Sequence, residues 1–232
     1  ILEGFLTIFN LYNMNIGLIA EGASELTVLK HILGRYLGEE HNLNEIQPQT
    51  NMQGRQVTEG GWNRVIQTFE KGNSIKDALV DNDYIVIQID TDLSETEPYS
   101  VSKIGANGQY CGDEELWKRT KDRILNNIPN INEVEKGRII LAICINEIEC
   151  WLLPLVYNDH HCDKTTQCIS LLNNKTSQKR LGVLTKENKN RFQGVRIYNT
   201  LLRDLRKIRD IEECARHNYG FIRFIEQLKE IG

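Results

Sequence analysis

Proline and aromatic residues are scarce in this chain, which has four prolines among 232 residues and only 7% Phe, Trp and Tyr. That scarcity argues against a sandwich of many short strands and suits a helix-rich α/β protein. Long apolar runs are missing too. The one stretch that raises the question, residues 1–13 (ILEGFLTIFNLYN), is interrupted by Glu3, Asn10 and Asn13, has no basic segment before it, and falls short of the ~20 residues of a spanning helix. No membrane association is expected. Met14 directly precedes the first convincing strand, so residues 1–13 are expected to be an upstream extension. The six cysteines show no paired spacing, and they read as reduced thiols of a cytoplasmic protein. There is no internal repeat, no low-complexity tract and no P-loop, so any nucleotide-driven step would have to come from another protein.

Charge is unevenly distributed. The total is −4, yet residues 175–210 hold eleven Lys and Arg against Glu187, Asp204 and Asp210. That segment is +8 and the remainder −12, a polarity expected of an acidic metal site beside a surface for polyanions, or simply of a solvated helical face. The length suffices for one sizeable domain or for a core with a smaller appendage.

Apolar β-branched runs mark the strands. Asn15-Ile16-Gly17-Leu18-Ile19-Ala20 reads as a buried strand running into Glu21-Gly22-Ala23-Ser24-Glu25, with Ser24 expected to cap a helix carrying Leu26, Leu29, Ile32, Leu33 and Leu37 on one face. A short strand is expected near residues 44–50. A helix follows over 62–80, with a break at Gly72-Asn73. Tyr84-Ile85-Val86-Ile87-Gln88-Ile89 is a fully buried strand ending in Asp90-Thr91-Asp92. Residues 93–112 form a long glycine-containing loop of the kind that often serves as a lid or binding segment. A helix over 113–128 has an acidic first turn suited to the helix dipole. Residues 137–145 make another buried strand, which passes into Asn146-Glu147-Ile148-Glu149-Cys150-Trp151-Leu152-Leu153. This β-α-β alternation predicts an α/β fold with a mostly parallel sheet and helices on both faces.

Three strand ends therefore carry acids: Glu21; Asp90 and Asp92; Glu147 and Glu149. Strand C-termini of a parallel sheet share one edge, so these groups can meet. Hard oxygen donors suit Mg²⁺ or Mn²⁺, and no histidine stands in these turns, which argues against zinc there. Each acid alone is as readily a turn or capping residue; the pattern gains weight from its consistency. His160-His161-Cys162 with Cys168 also invites a zinc reading, but the spacing matches no zinc pattern and adjacent residues do not easily reach one tetrahedral centre.

The strand-Glu21-Gly22-helix unit and the later strand ending Asp90-Thr91-Asp92 resemble the two signature motifs of the TOPRIM domain of topoisomerases, bacterial primases and overcoming-lysogenization-defect nucleases. Glu147-Ile148-Glu149-Cys150-Trp151-Leu152 is similar to the E-x-E-x-W-L stretch of small stand-alone TOPRIM-like proteins of bacterial defence loci, which also tend to carry a basic helical tail. The resemblance spans residues 15–157 and implies a TOPRIM-like, Rossmann-like catalytic domain over 14–160 with a helical basic extension over 161–232. It further implies a Mg²⁺-dependent phosphodiester site, with Glu21 as general acid/base or metal ligand and Asp90 and Asp92 as principal ligands. Glu149 would be a further ligand, Glu147 its substitute, and Glu25, one helical turn after Glu21, support for a second metal. Arg191, Arg196, Arg203, Arg206 and Lys207 are the candidates for contacting nucleic acid, the last three as one stripe if they share a helical turn.

A nuclease acting on DNA or RNA, in anti-phage defence with a partner ATPase, is the function this implies, and it is compatible with an oligomer. No tyrosine stands in a topoisomerase context, which leaves hydrolysis. Two alternatives are a TOPRIM-like module that binds a partner without catalysis, and a haloacid-dehalogenase-like phosphatase using Asp90 of Asp90-x-Asp92-x-Ser94 as nucleophile. Against the phosphatase, a full strand-turn-helix unit precedes that loop.

Overall fold

The computed structural model describes residues 13–232, so nearly all of the expected upstream extension lies outside the described residues. Four strands, β1 (Asn15–Ile19), β2 (Asn42–Gln47), β3 (Tyr84–Asp90) and β4 (Ile139–Cys144), form one sheet in the order β2-β1-β3-β4. Every pairing is parallel, as the alternation of strand and helix requires. The chain leaves β1 in one direction to make β2 and later returns on the other side of β1 to make β3. The point where the strand order reverses therefore lies between the C-terminal ends of β1 and β3, where open α/β sheets bind their ligands.

Side chains of successive strand residues point to opposite faces, and two hydrophobic clusters follow from that. On one face Ile16, Leu18, Val86, Ile140 and Ala142 pack under α1 (Ala23–Tyr36). On the other, Ile85, Ile87, Ile89, Leu141 and Ile143 pack under α2 (Trp62–Glu70), α3 (Ser74–Asp81) and α4 (Asp113–Leu125). The break between α2 and α3 falls at Gly72, whose φ is +53°. A single turn, α5 (Glu133–Lys136), leads into β4 behind a capping box of Asn132 and Glu135.

The segment after β4 is a 3₁₀ helix, Ile148–Leu155, ending at Pro154-Leu155. Beyond it come α6 (Cys168–Gln178), α7 (Phe192–Leu201), α8 (Ile208–Ala215) and α9 (Tyr219–Lys229). Residues 161–232, expected as a helical extension, share one core with the sheet: Leu172, Ile197, Tyr198, Ile211, Phe221 and Phe224 belong to the α1-side cluster. Trp151 is fully buried and stacks on Phe221, with ring centroids 4.4 Å apart and planes 2° from parallel. Gly220 lets α9 lie against β4, because a Cβ there would stand 2.1 Å from the Ile143 carbonyl oxygen. The Gln227 side chain accepts from the Leu141 amide (2.9 Å) and donates to the Leu141 carbonyl (3.0 Å).

Three expectations are corrected. Gly22, not Ser24, is the N-cap of α1; Ser24 sits inside the first turn and is wholly buried. Cys150 and Cys168 are joined in a disulfide that ties the 3₁₀ segment to α6, so the cysteines are not all free thiols. Arg203, Arg206 and Lys207 form no helical stripe: Arg203 belongs to a short 3₁₀ turn, Leu202–Asp204, and Lys207 is the N-cap of α8. The reason is local, since Leu202 before Arg203 and Leu205 before Arg206 both turn into the core. Among the described residues no helix is long and apolar enough to cross a membrane.

Candidate functional site

Glu21 and Asp90 flank the point of strand reversal and are tied together through the backbone. Glu21 Oε1 accepts from the Asp90 amide at 2.7 Å. Gln88, buried inside β3, serves both: its Oε1 accepts from the Glu21 amide (3.0 Å) and its Nε2 donates to Asp90 Oδ1 (2.8 Å). The alternation of the strand places Gln88 and Asp90 on the same face as Val86, under α1 and the C-terminal helices. The ends of β3 and β4 are fastened by Asn146, whose carbonyl accepts from the Thr91 and Asp92 amides at 3.0 Å and whose amide donates to Thr91 Oγ1 at 2.8 Å.

Glu25 and Glu149 are fully buried, and Asp90 is 3% exposed. Between them stands Lys189, from the polar connection before α7. Its Nζ is 2.7 Å from Glu25, 3.1 Å from Glu149 and 4.0 Å from Asp90. Tyr198, on α7, donates its hydroxyl to Glu149 Oε1. Asn190, next to Lys189, brings its Oδ1 to the Ser24 amide at 3.0 Å and so closes the N-terminus of α1. Gly22 makes room for that approach, because a Cβ there would lie 2.2 Å from Asn190 Oδ1. Asp92 is further out and pairs with Lys186 at 3.2 Å.

Thus the expected acids are brought to one edge of the sheet, but around an ammonium group rather than as a tight cage. Among the described residues, the only group of three His, Cys, Asp or Glu ligand atoms within 4.8 Å of one another is Asp159, His160 and His161. Of the five basic residues expected to meet nucleic acid, all are exposed and none makes an ion pair among the described residues; Arg191 and Arg196 lie between Lys189 and Tyr198 in the chain. Tyr99, from the long loop, is wholly buried against Trp62 and is not free to stack on a base. Sequence reasoning missed Lys189, Tyr198, Gln88 and Asn190. Only Gln88 left a signal, as a polar residue in the middle of an apolar strand.

Electrostatics follow from this crowding. Loss of hydration, then the neighbouring Glu25, pushes Glu21 up to about 8. Asp90 is raised by the same two causes, burial first and then Glu21. Glu147 is raised by burial and by Glu149. Glu149 is held below its usual range because Lys189 and the Tyr198 hydroxyl outweigh its burial. One buried ammonium faces three buried or partly buried carboxylates besides Glu149, and the buried oxygens Glu149 Oε2 and Glu147 Oε2 have no hydrogen-bond partner among the described residues. A hard divalent cation fits this donor set and this deficit of positive charge, with Glu21, Asp90, Asp92 and Glu149 as the residues that would hold it and Glu25 and Glu147 beside them.

A pH dependence is expected. Glu21 binds its proton more tightly when folded, so its contribution is complete below the unfolded value near 4.5 and is lost as pH rises through about 8. Without divalent cation, chemical unfolding should show the protein about 2 kcal/mol more stable at pH 6 than at pH 8. His31, lowered by burial, acts in the opposite direction across the lower half of that window. In Glu21→Gln the difference should shrink or reverse; an unchanged difference would assign it elsewhere.

Comparison with protein-family models, with curated proteins and with solved structures finds no match, so what this centre does is read from its own geometry.

Proposed function

We propose that the chain is a Mg²⁺- or Mn²⁺-dependent TOPRIM-like nuclease that hydrolyses phosphodiester bonds of DNA or RNA, acting in anti-phage defence with a partner ATPase. The observation that carries this is the gathering of Glu21, Glu25, Asp90 and Glu149 around Lys189 where the strand order of a parallel sheet reverses. A bound divalent cation would supply Lewis-acid stabilisation of charge on the scissile phosphate. The chain's own residues do the rest. Glu21, with its pKa near neutrality, is matched to taking a proton from water or giving one to the leaving oxygen. Gln88 and the Asp90 amide hold it in place. Lys186, largely exposed, and Arg191 and Arg196 are available to flanking phosphates.

A second reading, a TOPRIM-like module that binds a partner without catalysis, is favoured by the way the Lys189 ammonium already stands between Glu25 and Glu149. One experiment separates the two. The purified chain is incubated with DNA and with RNA in Mg²⁺ or Mn²⁺ beside Asp92→Ala, a half-buried position just past the strand end that belongs to neither hydrophobic cluster. Cleavage by the parent and none by the variant supports the nuclease. Equal behaviour of the two on every substrate, with and without the ATPase, sinks it.

A further inference from the structure

Downstream of the 3₁₀ segment the chain makes a tight turn over Tyr157–His161 that the acidic centre does not use. The cysteine-based zinc reading fails here, because Cys168 is bonded to Cys150 and the Cys162 thiol donates to the Tyr157 carbonyl at 3.2 Å. Adjacent residues do not easily reach one centre in an extended or helical chain, but this tight turn brings one carboxylate and two imidazoles together. Asp159, His160 and His161 each offer a ligand atom, and the three lie within 4.8 Å of one another. Asp159 Oδ1 is 2.7 Å from His161 Nδ1 and also accepts the His161 amide at 2.9 Å. The two imidazoles lie side by side, with ring centroids 4.2 Å apart.

His161 is held from behind. Tyr157 stacks on it at 4.7 Å and is itself fixed by its hydroxyl on the Leu171 carbonyl (3.0 Å) and by Lys175 over its other surroundings, 4.7 Å from the ring centroid. The Cys150–Cys168 bond closes the stretch of chain that carries all three groups. Beside them opens a cavity of about 770 Å³ between the 3₁₀ segment and α8, with Asp159 in its wall together with Cys162, Asp210, Glu213 and His217.

We propose that Asp159, His160 and His161 bind a divalent transition-metal ion of borderline softness, Zn²⁺ foremost, at the mouth of this cavity. Imidazole nitrogen with one carboxylate is a donor set that selects such an ion over Mg²⁺. Three protein ligands leave at least one coordination position open, and the cavity gives that position access to a small molecule or water. The site is separate from the acidic centre: Glu149 lies at the start of the 3₁₀ segment and Asp159 beyond its end, and eight residues at ~2 Å rise span roughly 16 Å. A hard-cation site and a nitrogen site thus stand at opposite ends of one element.

The test is Zn²⁺ binding by calorimetry to the full chain with the acidic centre saturated by excess Mg²⁺. One Zn²⁺ equivalent is expected, weakened at least about tenfold in His160→Gln and in His161→Gln, and retained in Asp90→Asn. Unchanged affinity in both histidine variants, or its loss in Asp90→Asn, would overturn the assignment. Co²⁺ gives a second readout: a spectrum of nitrogen and oxygen ligation supports the site, whereas thiolate-to-metal charge transfer would place the ion on Cys162 or Cys214 and refute it.

Discussion

Lys189→Met is expected to remove about 3–5 kcal/mol of stability at pH 8, because it leaves Glu25 and Glu149 buried without their counter-charge. In a chain of this length that is a fall in Tm of about 8–15 °C. Methionine keeps the volume of the stem, so the loss would report charge rather than packing. Two companion measurements separate this from general damage. Lys189→Met combined with Glu25→Gln should lose less than the sum of the single variants, since the second change removes one of the stranded charges. Mg²⁺ should restore part of the stability, a cation replacing a cation. If Lys189→Met unfolds at the parent's Tm at pH 8, the ion-pair network contributes nothing and the 2.7 Å contact to Glu25 is incidental.

Trp151→Ala is expected to cost a similar amount, about 3–5 kcal/mol, through a cavity that Phe221 and Phe224 cannot collapse to fill. Trp151→Phe should cost far less than its lost area suggests. The indole Nε1 is buried with no acceptor among the described residues, so phenylalanine gives up contacts but also removes an unsatisfied donor. Denaturant unfolding of the two variants checks this; equal losses would mean that the ring stack, and not the cavity, carries the energy. Trp151 is two residues beyond Glu149 on the same 3₁₀ segment, so Trp151→Ala should also weaken divalent-cation binding at the acidic edge, whereas Trp151→Phe should spare it.

The strands and their terminal acids were legible because burial on both faces writes itself as an unbroken apolar run, as in Ile85–Val86–Ile87 and Ile139–Cys144. Helix α1 was legible from its spacing, but its capping was not. Ser24 has the chemistry of a cap, and the true solution uses Asn190, 166 residues away, reaching past a glycine. Lys189 was unreadable for the same reason. In the sequence it is one of eleven basic residues in a +8 segment, and nothing local distinguishes a lysine that enters the core from one that stays in water. The Asp159 cluster was not legible because the nearby Cys162 and Cys168 are the commoner partners of histidines, whereas the turn brings the residue immediately before the two histidines to them.

The bond of Gln227 to both backbone groups of Leu141 has a consequence for how copies of this protein can meet. β4 is the last strand on its side of the sheet, and its outward amide and carbonyl at Leu141 are already taken by a side chain of α9. A further strand cannot dock there without displacing α9. The opposite border, β2, has no such side-chain guard among the described residues and is partly exposed along its length. Any lengthening of the sheet, by a partner peptide or by misassembly, is therefore directed to the β2 side, and a strand-mimicking peptide should protect backbone amides of residues 42–47 and none in β4 from hydrogen exchange.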